Sequence, residues 1–319
     1  MKRVLLIDFM GSAFYHHHAQ DGNLVMNFIR NLQLILQAYK VDKTVILLEG
    51  GSAYRKNLLP DYKLARRQRR EKQSDADRAA FQKFLDATET LAICLEVLGV
   101  HKLQVFGAEA DDLAGYLCAI LPTQEYQILL MSEDSDWSQL LSRKNTVQGS
   151  YKTMAKTIPL LTKSQWSTYN SFYVAKGLTP DQWFEKKMLT GDASDNIPGI
   201  DGLGETGATR LLGKYGSLRE ILDTRESLDV PRLSAKAKAG LADSEAVLKL
   251  GYQLMNLRWT PEQWKQVVGL NTVPVDVLAD GGLMAPNAVR TTAFTELCYD
   301  NGWIDFVDNP EWLLAFYGK

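Results

Sequence analysis

Nine acidic residues recur where the apolar runs of this chain stop: Asp8, Glu49, Glu109, Asp111, Asp112, Asp134, Asp136, Asp192 and Asp195. Scattered surface carboxylates have no reason to sit repeatedly at such places, so the pattern reads as one convergent site. Carboxylates that close would not all stay ionised without a counter-charge, and their oxygens suit hard divalent cations such as Mg²⁺ or Mn²⁺. Two such ions in an oxygen-lined site point to phosphoryl or phosphodiester chemistry. Taken singly, each residue has a plainer reading: Asp8 as a cap, or Glu109, Asp111 and Asp112 as partners of a helix dipole. Their joint placement favours the shared site.

The elements that would position them follow from periodicity. Val4 to Phe9 is a continuous apolar run containing Asp8, as expected of a buried parallel strand. Leu24 to Tyr39 carries Val25, Phe28, Leu32, Ile35 and Leu36 on one helical face. Thr44 to Leu48 is a second strand ending at Glu49, followed by a sharp Gly50-Gly51-Ser52 turn, and a basic segment runs into a helix from about Asp75 to Leu98. The alternation continues with strands at Leu103 to Phe106 and Gln127 to Met131, and helices at Ala110 to Leu121 and Trp137 to Leu141. Alternating strands and helices with short connections predict an α/β fold with a doubly wound, mainly parallel sheet. Ligands in such sheets bind beyond the carboxyl ends of the strands. Period-two spacing puts Asp134 and Asp136 on one side of the chain, and helical spacing puts Glu109 and Asp112 on one face.

After about Thr157 the pattern turns helical. Within it, Gly202-Leu203-Gly204 ahead of a helix predicts a tight hairpin whose backbone amides can face a phosphate. Val273 to Pro286 reads as linker, and Ala293 to Phe306 as a last helix and strand.

Charge is unevenly spread. From Arg55 to Lys83 ten basic residues face four acids, giving +6 and leaving −8 for the rest of a chain whose formal net charge is −2. A basic strip on an acidic body suggests a polyanionic partner held against a metal-loaded site. The three cysteines, Cys94, Cys118 and Cys298, are too few and too far apart for a disulfide framework or a zinc site, which suits a reducing cytoplasm. Asp8 interrupts the opening apolar run too early for a secretory signal, and no stretch is long enough to span a bilayer, so no membrane partner is expected. His16 to His18 fall in an expected loop and read as surface or substrate-adjacent residues, not metal ligands. Trp166, Tyr169 and Trp183 fall at helical intervals and read as core. No nucleophile elbow or triad pattern supports serine or cysteine catalysis.

At Glu109-Ala110-Asp111-Asp112, at Ser132 to Trp137 and at Gly191-Asp192 to Ala208, the chain resembles the 5′-nuclease (flap endonuclease) family, over roughly residues 2 to 260. The stand-alone phage-type enzymes fit best, since no polymerase domain follows. The resemblance implies a PIN-like sheet, a helical arch above the active site and a helix-three-turn-helix gripping duplex DNA. It implies a division into a nuclease domain over residues 1–157 with its arch at about 55–85, a helical DNA-binding part over 158–270 with the motif at about 190–216, and an extension over 271–319 packing on the nuclease body. By the same resemblance Lys63, with Arg66, Arg67 and Arg70, acts on the scissile phosphate. Lys187, Gly202, Gly204, Gly207 and Lys214 are the implied DNA contacts, and the hairpin carbonyls are the implied holders of a potassium ion. All nine carboxylates are the implied ligands of two Mg²⁺ or Mn²⁺ ions, one group built on Asp8, Glu49, Glu109 and Asp111 and the other on Asp112, Asp134, Asp136 and Asp192 or Asp195.

The chain departs from the family in two places. Glu49 stands where an aspartate is general, and Glu205-Thr206 where many members carry a lysine. The expected activity is structure-specific 5′-3′ exonuclease and flap endonuclease cleavage of DNA with 5′ flaps, nicks or ends, or of RNA in hybrids with DNA, by a cytoplasmic monomer working beside replication proteins. The rival readings are a catalytically inactive DNA-binding module of the same fold and a PIN-type ribonuclease.

Overall fold

The computed structural model describes residues 1–18, 23–121, 123–151, 166–268 and 289–317. Five parallel strands form its sheet: β1 (Lys2–Asp8), β2 (Lys43–Leu48), β3 (His101–Gln104), β4 (Tyr126–Met131) and β5 (Thr146–Gly149), in the order β3-β2-β1-β4-β5. Val4, Leu5, Leu6 and Ile7 of the central strand are all 0% exposed. Leu5 and Ile7 enter one core and Val4 and Leu6 another, so helices cover both faces of the sheet. Each such side chain contributes about 1.5–3 kcal/mol by leaving water, which fixes β1 as the spine.

One face is covered by α1 (Phe9–His18), α2 (Leu24–Tyr39) and α5 (Asp75–Val97). The other takes α6 (Ala110–Ile120), together with Trp137 and Trp264. Between β2 and α5 lie two short helices, α3 (Ala53–Leu58) and α4 (Leu64–Glu71). No residue of α4 is buried. Ser74 and Asp77 then close a reciprocal capping box that starts α5.

A third core belongs to the helical half. There α7 (Tyr169–Lys176) and α8 (Pro180–Thr190) each begin on a threonine capping box, at Thr168 and Thr179. The connection from α8 to α9 (Glu205–Tyr215) is the glycine-containing hairpin, and Tyr62 at the foot of α4 is buried in the same core.

Several elements differ from the sequence expectation. The three histidines belong to helix α1 rather than a loop, because Phe9, Ala13 and His16 are buried at helical intervals. Strand β5 is four residues of ordinary polarity, Thr146 to Gly149, and pairs in register with Ile128 to Met131. The segment expected as Trp137 to Leu141 is a 3₁₀ turn over Ser135–Leu140. In place of a last helix and strand there are two helices, Thr291–Asp300 and Ile304–Asp308, separated at Gly302 with φ +70°. Their Phe294, Trp303 and Phe306 join the core that contains Leu5 and Leu32. The linker expectation for Val273 to Pro286 and the boundaries near Thr157 and Leu270 lie outside the described residues. Among the described residues no helix is long and apolar enough to cross a membrane.

Candidate active site

The sheet order reverses between β1 and β4, and a cavity of about 350 Å³ opens at the carboxyl ends of those strands. Eight of the nine carboxylates line it: Asp8, Glu49, Glu109, Asp111, Asp134, Asp136, Asp192 and Asp195.

Asp8 ends β1 and turns back over the start of α1. Its Oδ1 accepts from the Gly11 amide at 3.1 Å and its Oδ2 from Ser132 Oγ at 3.0 Å. A Cβ on Gly11 would stand 2.5 Å from Asp8 Oδ2, so only glycine leaves room for this rotamer. Glu49 follows β2, and paired backbone bonds of Gly50 with Ala108 (2.9 Å) and Gly107 (2.8 Å) draw its loop against the one that starts α6. Glu109 is the N-cap of α6, 4% exposed, and receives Tyr62 OH at 2.8 Å and Lys63 Nζ at 2.5 Å. Asp111 accepts from Trp137 Nε1 at 2.6 Å. Asp134 caps the turn after β4, taking the Asp136 amide at 2.8 Å.

Asp136 follows in the same turn, and two further carboxylates come from the helical half. A short antiparallel bridge between Asp192 and Ile197 shapes the loop after α8. In that loop Asp192 Oδ1 accepts from Ser194 N at 2.8 Å. Asp195 Oδ2 takes Tyr62 OH at 3.2 Å, and its Oδ1 faces Arg66 at 2.7 Å. Lys63 binds this loop through its backbone too, its amide donating to Asp195 O at 3.0 Å. It does so from the left-handed region, at φ +57°, an uncommon conformation for a non-glycine residue that places its ammonium beside Glu109 and 4.0 Å from Asp195. Lys187 on α8 bridges Asp136 and Asp192, the latter at 3.0 Å.

Asp112 is the exception. It is 0% exposed, and both its oxygens are held by the Arg55 guanidinium, at 2.6 and 2.7 Å. It also accepts from the Glu109 amide at 3.0 Å and from Trp259 Nε1 at 3.2 Å. Its lone pairs are used within the fold, so here Asp112 braces the α6 N-terminus and does not line the cavity with the other expected ligands. The basic residues divide as well. Lys63 and Arg66 reach the cavity, whereas Arg67 donates to Pro60 O and Arg70 lies over the Phe81 ring. Lys187, expected as a DNA contact, lines the cavity.

Burial and mutual repulsion set the electrostatics. Burial, then Glu109 and Asp8, push the Glu49 carboxyl up to about 7 against the pull of Lys63. Burial raises Asp8 despite the bonds from Gly11 and Ser132, and raises Asp111 further with the help of Asp134, Asp8 and Glu49. Asp136 and Asp195 are raised by burial even with Lys187, or Lys63 and Arg66, beside them. Asp192 alone falls below its ordinary range, because Ser194 and Lys187 outweigh its burial. The same carboxylates hold both lysines above the usual ammonium range against their burial.

The donor set fits hard cations. Eight carboxylates face four cationic side chains in the cavity, and one of those, Arg55, is committed to Asp112. With all eight ionised, at least four negative charges would be left over, as many as two divalent ions would neutralise. Among the described residues no three acidic, histidine or cysteine side chains are already gathered at metal-holding spacing. Lys63 and Lys187 instead stand between pairs of carboxylates.

A second feature is the hairpin. Gly202 has φ +75°, and a Cβ there would stand 3.0 Å from the Ala237 amide nitrogen. Gly204 differs: φ is −95°, and a Cβ would meet nothing within 4 Å. The positive φ of the turn therefore falls at Gly202, and Gly204, the N-cap of α9, leaves open space where a Cβ would stand. Gly202, Gly204 and Gly207 line an open depression with Arg210 and Arg232. Lys214 does not belong to it, sitting in the last turn of α9 against Asp229. Glu205 is answered by Lys186 of α8, at 2.5 Å.

Sequence reasoning missed Gly11, Ser132, Tyr62 and Trp137 as holders of carboxylates and Arg55 as the partner of Asp112. Tyr62 next to Lys63 and Ser132 ahead of Asp134 were available signals. Nothing local marks Arg55, which acts 57 residues away.

The family model described as the N-terminal resolvase-like domain of 5′-3′ exonuclease matches residues 3–168, and that of its C-terminal SAM fold matches residues 178–271. The thermostable DNA polymerase I of Thermus aquaticus is 30% identical over 274 residues, 80% of this chain and 28% of that protein. A 5′-3′ exonuclease of Halalkalibacterium halodurans is 32% identical over 165 residues, 51% of each. The chain thus spans well under half the length of the polymerase relatives it matches. Among solved structures, a bacteriophage T5 flap endonuclease complexed with DNA and metal ions aligns over 93% of this chain and 100% of its own, at a TM-score of 0.67 and 20% identity. T5 5′-exonuclease with bound zinc aligns over 93% and 99%, at 0.69 and 20% identity. These two share the fold.

Proposed function

The chain belongs to the 5′-3′ exonuclease family, and on that premise we infer that it hydrolyses phosphodiester bonds near the 5′ ends of nicked or flapped DNA, using two divalent cations. The observation that carries this reading is the single cavity in which eight carboxylates meet Lys63, Arg66 and Lys187 at the switch point of a parallel sheet.

Asp8, Glu49, Glu109 and Asp111 would hold one ion, and Asp134, Asp136, Asp192 and Asp195 the other, with Mg²⁺ or Mn²⁺ suited to all-oxygen donors. What bound ions supply there is activation of a water for in-line attack and neutralisation of the departing 3′ oxygen. The chain's own residues do the rest. Tyr62 and Trp137 fix Glu109 and Asp111, and Ser132 and the Gly11 amide fix Asp8. Fixed donors cost no reorganisation as charge builds up on the phosphate. Lys63 and Lys187 reach that charge as point-like ammoniums, with Arg66 beside them.

Affinity is assigned to backbone contacts: the amides from Gly202 to Gly207 for a phosphate, with a potassium ion at the hairpin carbonyls, and the basic helix α4 for the strand carrying the 5′ end. Phosphate contacts carry no base information, so recognition follows the form of the DNA, and a 5′ RNA strand paired with DNA is an alternative substrate. The division at 157/158 and 270/271 and a monomeric enzyme acting in the cytoplasm beside replication proteins belong to the same reading.

Incubating the pure protein with end-labelled flap, nicked and single-stranded DNA, with Mg²⁺ and with a chelator, tests it. Release of short 5′ products from flap and nick, lost in chelator, is the expected result. Mg²⁺-independent cleavage, or binding without cleavage, would overturn it, the second in favour of an inactive DNA-binding module.

A further inference from the structure

Helix α8 carries two adjacent lysines that serve different places. Neighbouring side chains on a helix diverge by about 100°, so Lys187 enters the carboxylate cavity while Lys186 reaches the hairpin. Lys186 is only 6% exposed, which is unusual for a lysine. Its ammonium lies 3.8 Å from the centroid of the Trp183 ring, three residues earlier on the same helix, and donates to Glu205 Oε2 at 2.5 Å. Trp183 is met in turn by Phe172 of α7, edge-on at 5.6 Å. Glu205 has the opposite character, its side chain being 69% exposed. The pair joins a lysine fixed by packing to an acid that packing does not fix.

The place of that acid gives the pair its meaning. Glu205 is the first residue of α9, and the N-cap before it, Gly204, has no side chain to occupy the first amides of the helix. Those amides and the positive end of the helix dipole attract an anion. The depression over them is lined by Glu205 itself and by Arg210 and Arg232. An unanswered carboxylate here would oppose a DNA phosphate in two ways: it would repel the phosphate, and it could turn onto the amides and arginines that the phosphate needs.

We propose that Lys186 is a positioning residue for DNA binding, which keeps the hairpin open to a phosphate by holding and neutralising the Glu205 carboxylate. The inference rests on the reading of the hairpin as a phosphate site and deepens it by naming the group of the chain that competes for that site. Lys186 acts through Glu205, because its ammonium is taken up between the Trp183 ring and the carboxylate.

The test measures the affinity of the full chain for one nicked duplex by fluorescence anisotropy, with Ca²⁺ in place of Mg²⁺ to hold back cleavage. Wild type, Lys186→Met, Glu205→Gln and the double variant are compared. Lys186→Met should bind about tenfold more weakly at low salt, as expected of a carboxylate left beside a phosphate, and the gap should narrow as salt is raised. Adding Glu205→Gln should restore at least the wild-type affinity, since a neutral amide needs no counter-charge. Glu205→Gln alone should bind more tightly than wild type. A double variant as weak as Lys186→Met would mean that Lys186 only packs α8. A folded Glu205→Gln with unchanged or weaker affinity overturns the proposal as well, even if Lys186→Met fails to fold. Parallel incubation of the wild type with Mg²⁺ separates the two readings. Binding of the nick without cleavage overturns the nuclease reading, and the affinity ratios still decide the pair; no binding of the nick overturns both.

Discussion

The Arg55 guanidinium closes on both carboxylate oxygens of Asp112, Nη1 to Oδ2 at 2.6 Å and Nη2 to Oδ1 at 2.7 Å, with Arg55 3% and Asp112 0% exposed. Arg55 also donates to Leu254 O at 2.7 Å and lies 3.3 Å from Glu109, so the pair ties α6, α3 and the helical half together. Removing one partner strands the other's charge out of water. Arg55→Ala or Asp112→Ala should therefore cost about 3–5 kcal/mol of unfolding free energy. Asp111→Asn, one position away, should lower cleavage severely and leave stability in chelator undiminished, because it relieves a carboxylate pressed by Asp134, Asp8 and Glu49. Urea unfolding of the variants in chelator checks this; a stable, unaltered Asp112→Ala would remove the brace.

Gly11→Ala should slow cleavage on the order of tenfold or more, while folding and DNA affinity stay near wild type. Its Cβ would displace Asp8 Oδ2, which stands 2.5 Å from that position. A misplaced group at the reacting centre is costly even when shifted by about an ångström. Single-turnover rates beside dissociation constants decide it, and an unaltered bound rate would show that the Asp8 rotamer is immaterial.

Lys63 and Lys187 both sit between carboxylates of the cavity. Lys63→Ala and Lys187→Ala should each lower the single-turnover rate by about a hundredfold, the scale of losing one preorganised donor, with small effects on affinity. Lys63→Arg should rescue only in part, since a planar fork presents charge differently from an ammonium. Were Lys187→Ala to weaken binding at low salt and leave the bound rate intact, it would be an ordinary phosphate contact instead.

Gly204→Val should fold normally, because a Cβ there meets nothing within 4 Å and its φ of −95° suits any residue. Affinity for duplex should nevertheless fall, and its dependence on log salt should flatten, if backbone must approach a phosphate at this point. Titrations at several salt concentrations measure the slope; an unchanged slope would make the hairpin a structural turn.

His16 is 0% exposed, bonded to Ser12 O at 2.7 Å and Asn31 Nδ2 at 2.9 Å, and burial lowers its pKa from 6.5 to about 4. The unfolded chain takes up this proton first, so stability from the neutral ring is present above about pH 6.5 and is lost as pH falls toward 4. The loss approaches roughly 3 kcal/mol at the acid end. Urea midpoints at neutral and mildly acid pH should show it, and His16→Gln should flatten the difference. A variant with the wild-type slope would assign the acid sensitivity to other groups.

The sheet, the strand-end carboxylates and the glycine hairpin were legible because each is local. An apolar run that ends in Asp8 reports a buried strand and its exit, and the spacing of Asp134, Asp136, Asp192 and Asp195 reports loops that follow such runs. Local pattern fails where one side chain serves either of two ends. Helical spacing put Asp112 with Glu109, and the two are indeed neighbours, but as a capping box whose carboxylate folds back to an amide and to Arg55, 57 residues away. The histidine run read as a loop because polarity is what a window sees, whereas His16 is drawn into the core by packing on α2 and Tyr151. Which lysine reaches the cavity was likewise undetermined by composition. Lys63 enters through a left-handed backbone fixed by the Asp195 carbonyl, and Lys187 through the docking of α8 against the turn that holds Asp136. The sequence by itself determined the kinds of group and the ends of the elements that bear them; which groups share a cavity was decided only in three dimensions, because a buried charge takes the partner that the packing of distant elements brings within reach.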